Sequence, residues 1–98
     1  MMGEVKGTIW EEVAKKLNID YDQLIRESIK HYLHKKLVEI RAEKHKLTSA
    51  YGVSTAREID EKYKRGELDE EGTWEDFFRI DHLEYEEKEI MRLIEKIG

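Results

Sequence analysis

The chain has no cysteine and no proline. Without cysteine there is no disulfide framework, no thiolate metal site and no cysteine nucleophile. Without proline, only six glycines interrupt a chain dominated by Glu, Lys, Leu and Ile, residues that favour helix. Long apolar runs are missing as well: no stretch approaches the roughly 20 residues of a membrane span. The opening MMGEVKGTIW lacks the apolar core of a signal peptide. A cytoplasmic protein with no membrane partner is the expectation. Asn and Gln occur once each beside an excess of Glu and Lys, a composition like that of hyperthermophile surfaces.

What the chain has in quantity is charge. Charged residues make up 42%, against an average of roughly 25%, while 39% of residues are apolar, enough for a core if they are patterned. Ninety-eight residues make a single domain over residues 1–98, small enough that association, most simply a homodimer, is expected. The net charge of −5 is unevenly spread. Residues 1–57 carry 11 Lys and Arg against 8 Asp and Glu, whereas residues 58–98 carry 7 against 15. A basic front and an acidic rear suggest two surfaces with different partners, the acidic one suited to a basic protein, unless both are simply solvated helix faces.

The pattern predicts four helices, short, long, short, long, with the long pair as an antiparallel hairpin: an all-α fold. Thr8 and Glu11 make a capping box for a first helix over residues 9–18 that buries Ile9, Val13 and Leu17. Asp20 and Gln23 open a second, whose apolar face runs through Leu24, Ile25, Ile29, Leu33, Leu37, Ile40 and Leu47 once Lys44 is allowed on it. Gly52 should stop it after about 30 residues, roughly 45 Å. So long a helix needs a second long helix or another copy of itself, and Ile25, Ile29, Leu33, Leu37 and Ile40 are the candidate dimerisation residues.

Ser54 or Thr55 should cap a third helix that ends at Gly66 and offers Ala56, Ile59 and Tyr63 for burial. Glu58 with Lys62, Asp60 with Lys64 and Glu61 with Arg65 stand at the favourable i, i+4 spacing. After the acidic connector GELDEEG, Thr73 should cap a last helix whose start holds Trp74, Phe77 and Phe78. Aromatics at that density anchor either a core or an interface.

Catalytic chemistry has little to stand on. The serines are Ser28, Ser49 and Ser54, none with an evident base and orienting partner, and no phosphate-cradling glycine loop occurs. A non-enzyme without cofactor is expected. His31 and His34 lie at i, i+3, one turn after Glu27, which could complete a metal shell only between copies. Solvated histidines on a polar face are the simpler reading, so no metal site is assigned.

Two resemblances add to this reading. The segment IDYDQLIRESIKHYL resembles the second helix of ribbon-helix-helix DNA-binding proteins. That resemblance implies a short N-terminal strand, EVKGTI, pairing with its twin across a dimer, with Lys6 and Thr8 facing operator DNA. The segment YGVSTAREIDEKYKRGELDEEGTWEDFFRIDHLEYEE resembles the C-terminal portion of small archaeal antitoxins from toxin-antitoxin pairs. It implies that Tyr51, Val53, Ile59, Leu68, Trp74, Phe77, Phe78, Ile80, Leu83 and Tyr85 lie along a basic toxin and mask it. Residues 1–50 would then dimerise and bind DNA, and residues 51–98 would bind the partner. The competing expectation is a self-associating structural or adaptor protein with neither partner, its aromatics closing the hairpin.

Overall fold

The computed structural model describes residues 9–69 and 71–98. Among them are four helices and no strand: α1 (Ile9–Lys16), α2 (Tyr21–Ser49), α3 (Ala56–Lys64) and α4 (Thr73–Ile97). The expected order of short, long, short and long holds. Most of the expected N-terminal strand, with Lys6 and Thr8, lies outside the described residues, and its last residue, Ile9, is helical.

Local chemistry sets most of the boundaries. Asp20 caps α2 by accepting the Gln23 N–H at 3.2 Å. Thr55, rather than Ser54, caps α3 by accepting the Glu58 N–H at 3.2 Å, and Glu58 returns to the Ser54 N–H at 3.3 Å. α2 closes where the Val53 N–H reaches Thr48 O at 3.1 Å and the Gly52 N–H reaches Ser49 O at 3.2 Å. That closure requires a left-handed residue, and Gly52 supplies it at φ 66°. α1 ends the same way around Asn18 at φ 54°, with the Ile19 N–H on Ala14 O at 3.0 Å.

Two expectations are corrected. Thr73 is not the cap of α4 but its first residue; Gly72, at φ 79°, holds the cap position and has no side chain to bond with. The Thr73 hydroxyl instead donates back to Asp69 O, closing the acidic connector. In α1, Ile9, Val13 and Leu17 are exposed and Ala14 is the buried residue. An eight-residue helix meets its neighbour along one short line, and the small Ala14 side chain lets α1 approach α2 there while its bulkier stripe turns outward.

α2 and α4 form the antiparallel hairpin. Arg41 pairs with Glu87 at 2.7 Å and Lys44 with Glu84 at 3.1 Å, so each step up α2 is a step down α4. Leu37, Ile40 and Leu83 are buried along this seam. α3 folds over one end, where Ala56, Ile59 and Ile80 make a core cluster that Leu47, Tyr51, Val53, Leu68 and Phe77 pack against. The same register carries Ile97, the last residue of α4, to about the level of His31, so among the described residues α1 is the main neighbour of the first turns of α2. The molecule is accordingly long, 62 × 23 × 20 Å, with a radius of gyration of 20.0 Å. A compact chain of this length would have about 13 Å.

Candidate protein-interaction surface

The left-handed Gly72 and the turn closed by Thr73 start α4 directly beside the end of α3. Trp74, in the first turn of α4, thereby meets Tyr63 of α3 with ring centroids 4.8 Å apart. Phe77 stands edge-on to Trp74 at 5.6 Å, and Phe78 lies 6.1 Å from Trp74 and 5.4 Å from Phe77. These are the offset and edge-to-face geometries that aromatic quadrupoles favour. The cluster divides by depth: Phe77 is half-buried against the core, whereas Trp74 is 36% and Phe78 62% exposed. Farther along α4, His82 and Tyr85 stack at 6.5 Å on the outside of the molecule. Trp74, Phe78 and His82 recur every fourth residue, so they line one outward face.

The carboxylates of α4 are sorted between an inner and an outer side. Glu84 and Glu87 turn inward: Lys44 reaches both, at 3.1 and 3.6 Å, and Glu84 also accepts the Ala56 N–H at 3.3 Å, at the start of α3. The Arg41 guanidinium, with Lys44 behind it, holds the Glu87 carboxyl below the usual carboxylate range despite its burial. Asp76 accepts the Tyr51 hydroxyl, and that bond, with burial, pushes Tyr51 up to about 12. Arg79, the one Lys or Arg in the first half of α4, pairs with Glu43 at 2.6 Å and holds that carboxyl low. Glu75 and Asp81 stay exposed near the aromatic face without a salt bridge among the described residues, and Glu86 pairs only with His82, at 3.3 Å. The outer face is thus acidic and aromatic.

The expected partner-binding residues therefore separate. Trp74, Phe78 and Tyr85 are exposed together on α4. Ile59, Ile80 and Leu83 are core and form no part of a surface: α3 lays Ile59 over Ile80, and Leu83 is buried in the seam with α2. Tyr51, Val53, Leu68 and Phe77 are half-buried props of that core. Of the expected dimerisation residues, Leu37 and Ile40 are buried inside the chain's own hairpin, Ile25 and Leu33 are half-buried, and Ile29 is exposed. His31 and His34 are exposed, and among the described residues no group of three or more His, Asp and Glu side chains is gathered for a metal ion.

The network of Arg41, Lys44, Glu84 and Glu87 is absent from the sequence reading. A signal for it existed: Lys44 interrupts the apolar stripe of α2, and a charge on a buried stripe demands a counter-charge opposite. The basic front and acidic rear are in part this contact, since front-half cations meet rear-half carboxylates within one hairpin. Of the three expected pairs on α3, Asp60 with Lys64 forms at 3.0 Å, while Lys62 donates to Tyr51 O and Glu61 pairs with Arg57.

No helix among the described residues is long and apolar enough to cross a membrane. Comparison with curated proteins and with solved structures gave no match in either case. The chain matches, over residues 1–98, the family model described as the Uncharacterized protein MJ0235 family, and it belongs to that family.

Proposed function

We propose that the protein is a non-enzymatic binding module whose rear half captures a basic protein, as an antitoxin captures its toxin. The observation that carries this reading is the exposure of Trp74 and Phe78 on one face of α4, bordered by Glu75 and Asp81 and braced from below by Phe77 and Tyr63. Large exposed aromatics on a rigid helix lose little conformational entropy on binding and gain much when desolvated, the character of interface anchors. Surrounding carboxylates steer a basic partner toward them and discourage acidic ones. A ribonuclease-like toxin fits that description, because an enzyme that binds phosphates presents a basic face.

Of the ten residues expected to contact the partner, Trp74, Phe78 and Tyr85 are the exposed ones that would meet it. The test is co-expression with the product of an adjoining short gene that encodes a basic, growth-inhibiting protein. A stable complex and restored growth are expected, both lost in Trp74→Ala/Phe78→Ala although that variant keeps its helical circular dichroism. If the native chain forms no complex and leaves the toxicity unrelieved, the proposal fails.

A further inference from the structure

α1 turns its largest side chains to solvent. Ile9 is 57%, Trp10 50%, Val13 36% and Leu17 64% exposed, and Ala14 makes the contact with the body of the molecule. The stretch of α2 that α4 does not reach adds Ile29 at 46%, and Tyr32, at 51%, follows at its edge. Six such side chains expose on the order of 100 Å² each, roughly 600 Å² in all, near the lower end of what one partner contributes to a stable interface. Leu37 and Ile40, the centre of the dimerisation stripe expected on α2, are already covered by α4. A pairing of copies is therefore not centred on those two residues.

We propose that a second copy of this chain covers α1, the two α1 helices packing antiparallel about a twofold axis close to Val13. The charge pattern selects this occupant and this direction. At 3.6 residues per turn, Ile9 and Val13 form one face of α1, which Leu17 extends just past its end with its N–H on Val13 O at 3.0 Å, and Glu12 and Lys16 run along one edge of that face. A twofold axis through that face brings like edge against like edge with the chain direction reversed, so Glu12 stands beside Lys16 of the partner subunit, and Lys16 beside the partner's Glu12. Ile9 then lies against Leu17 of the partner subunit, and Val13 meets itself. A parallel twofold pair would instead set that edge against the partner's opposite edge, which carries Trp10 rather than a charge, so neither Glu12 nor Lys16 would gain a counter-charge across the seam. Within one copy neither Glu12 nor Lys16 takes part in a salt bridge among the described residues, so both charges are free for this role.

Sedimentation equilibrium of the full chain tests the pairing. The native chain should be a dimer, and Val13→Glu should weaken it by at least about tenfold, because the substitution sets two carboxylates together at the axis. Glu12→Lys and Lys16→Glu should each weaken self-association. An equimolar mixture of those two variants should recover native-like affinity as a heterodimer, since every edge contact is then attractive; this comparison holds even if either variant shortens α1. Trp74→Ala/Phe78→Ala should leave the dimer unchanged, separating this face from the toxin-facing one. A native chain that stays monomeric up to its solubility limit overturns the proposal and leaves α1 to some other partner. A dimer indifferent to Val13→Glu, or a mixture no tighter than its components, overturns it equally.

Discussion

Lys44 lies 3.1 Å from Glu84, whose same carboxylate oxygen accepts the Ala56 N–H at 3.3 Å. A single carboxylate on α4 therefore ties α2 to the start of α3. Anions are favoured at a helix N-terminus, so the site pairs Glu84 with both an ammonium and a helix dipole. Glu84→Ala should destabilise the protein by about 1–3 kcal/mol, because it strands a backbone donor and removes half of the Lys44 pairing. Glu84→Gln, which can still accept from Ala56, should lose distinctly less. Urea unfolding midpoints of the two variants distinguish the contributions.

Phe78 and Ile80 are two residues apart on α4 and should behave in opposite ways. Ile80 is fully buried, so Ile80→Ala should cost about 2–5 kcal/mol. Phe78 is mostly exposed, so Phe78→Ala should cost under about 1 kcal/mol. Thermal melts of both variants check the division of α4 into a buried side and an exposed one.

The hydroxyl of Tyr51 donates to Asp76, and its pKa is raised to about 12 in the folded chain, from about 10 when unfolded. A raised value means that the folded state holds the proton more tightly. The bond's contribution is complete below pH 10 or so and is lost as pH rises toward about 12. The difference in stability between the native chain and Tyr51→Phe should therefore be flat through neutral pH and shrink across that alkaline window. Glu87 works in the reverse sense. Its pKa is lowered by Arg41, so its contribution is present above the ordinary carboxylate range and disappears in acid, as pH falls through its folded value. Glu87→Gln should remove this acid-side loss.

Gly52 occupies the left-handed region at φ 66°, and a Cβ there would meet nothing nearer than Lys62 Nζ at 3.7 Å. Space is available, so conformation alone decides the outcome. Gly52→Ala should lower stability by about 1–2 kcal/mol, the cost of that conformation for a residue with a side chain, and Gly52→Asn by less. Melting temperatures of the pair measure it.

Much of this architecture is legible in the sequence because helix ends are local. Asp20 with Gln23, Thr55 with Glu58, and Gly52 and Gly66 after the final turns each act within a few residues, and the helices start and stop beside them. Inward and outward faces are harder to read. On α4, Trp74, Phe77, Phe78, Ile80 and Leu83 together cover more than half of the helix circumference, so periodicity cannot say which part faces in. The placement of α3 decides that, by covering Ile80 and leaving Phe78 bare. α1 misleads for a related reason. Its apolar stripe implies burial, but one alanine determines how so short a helix docks.

The hairpin is closed at one end by α3 and left open at the other, where α2 outruns α4. Unfolding need not be all-or-none along such a rod. Segments with few buried contacts open at low free energy, whereas a packed cluster opens only with the whole domain. Amides around the buried Ile40, Ile59, Ile80 and Leu83 should exchange slowly, and those in the first turns of α2 fast. Anything that clamps the open end raises the protection of those first turns while leaving the distant core's packing untouched. Occupancy at one end is thus written as a gradient of exchange rates along a single pair of helices.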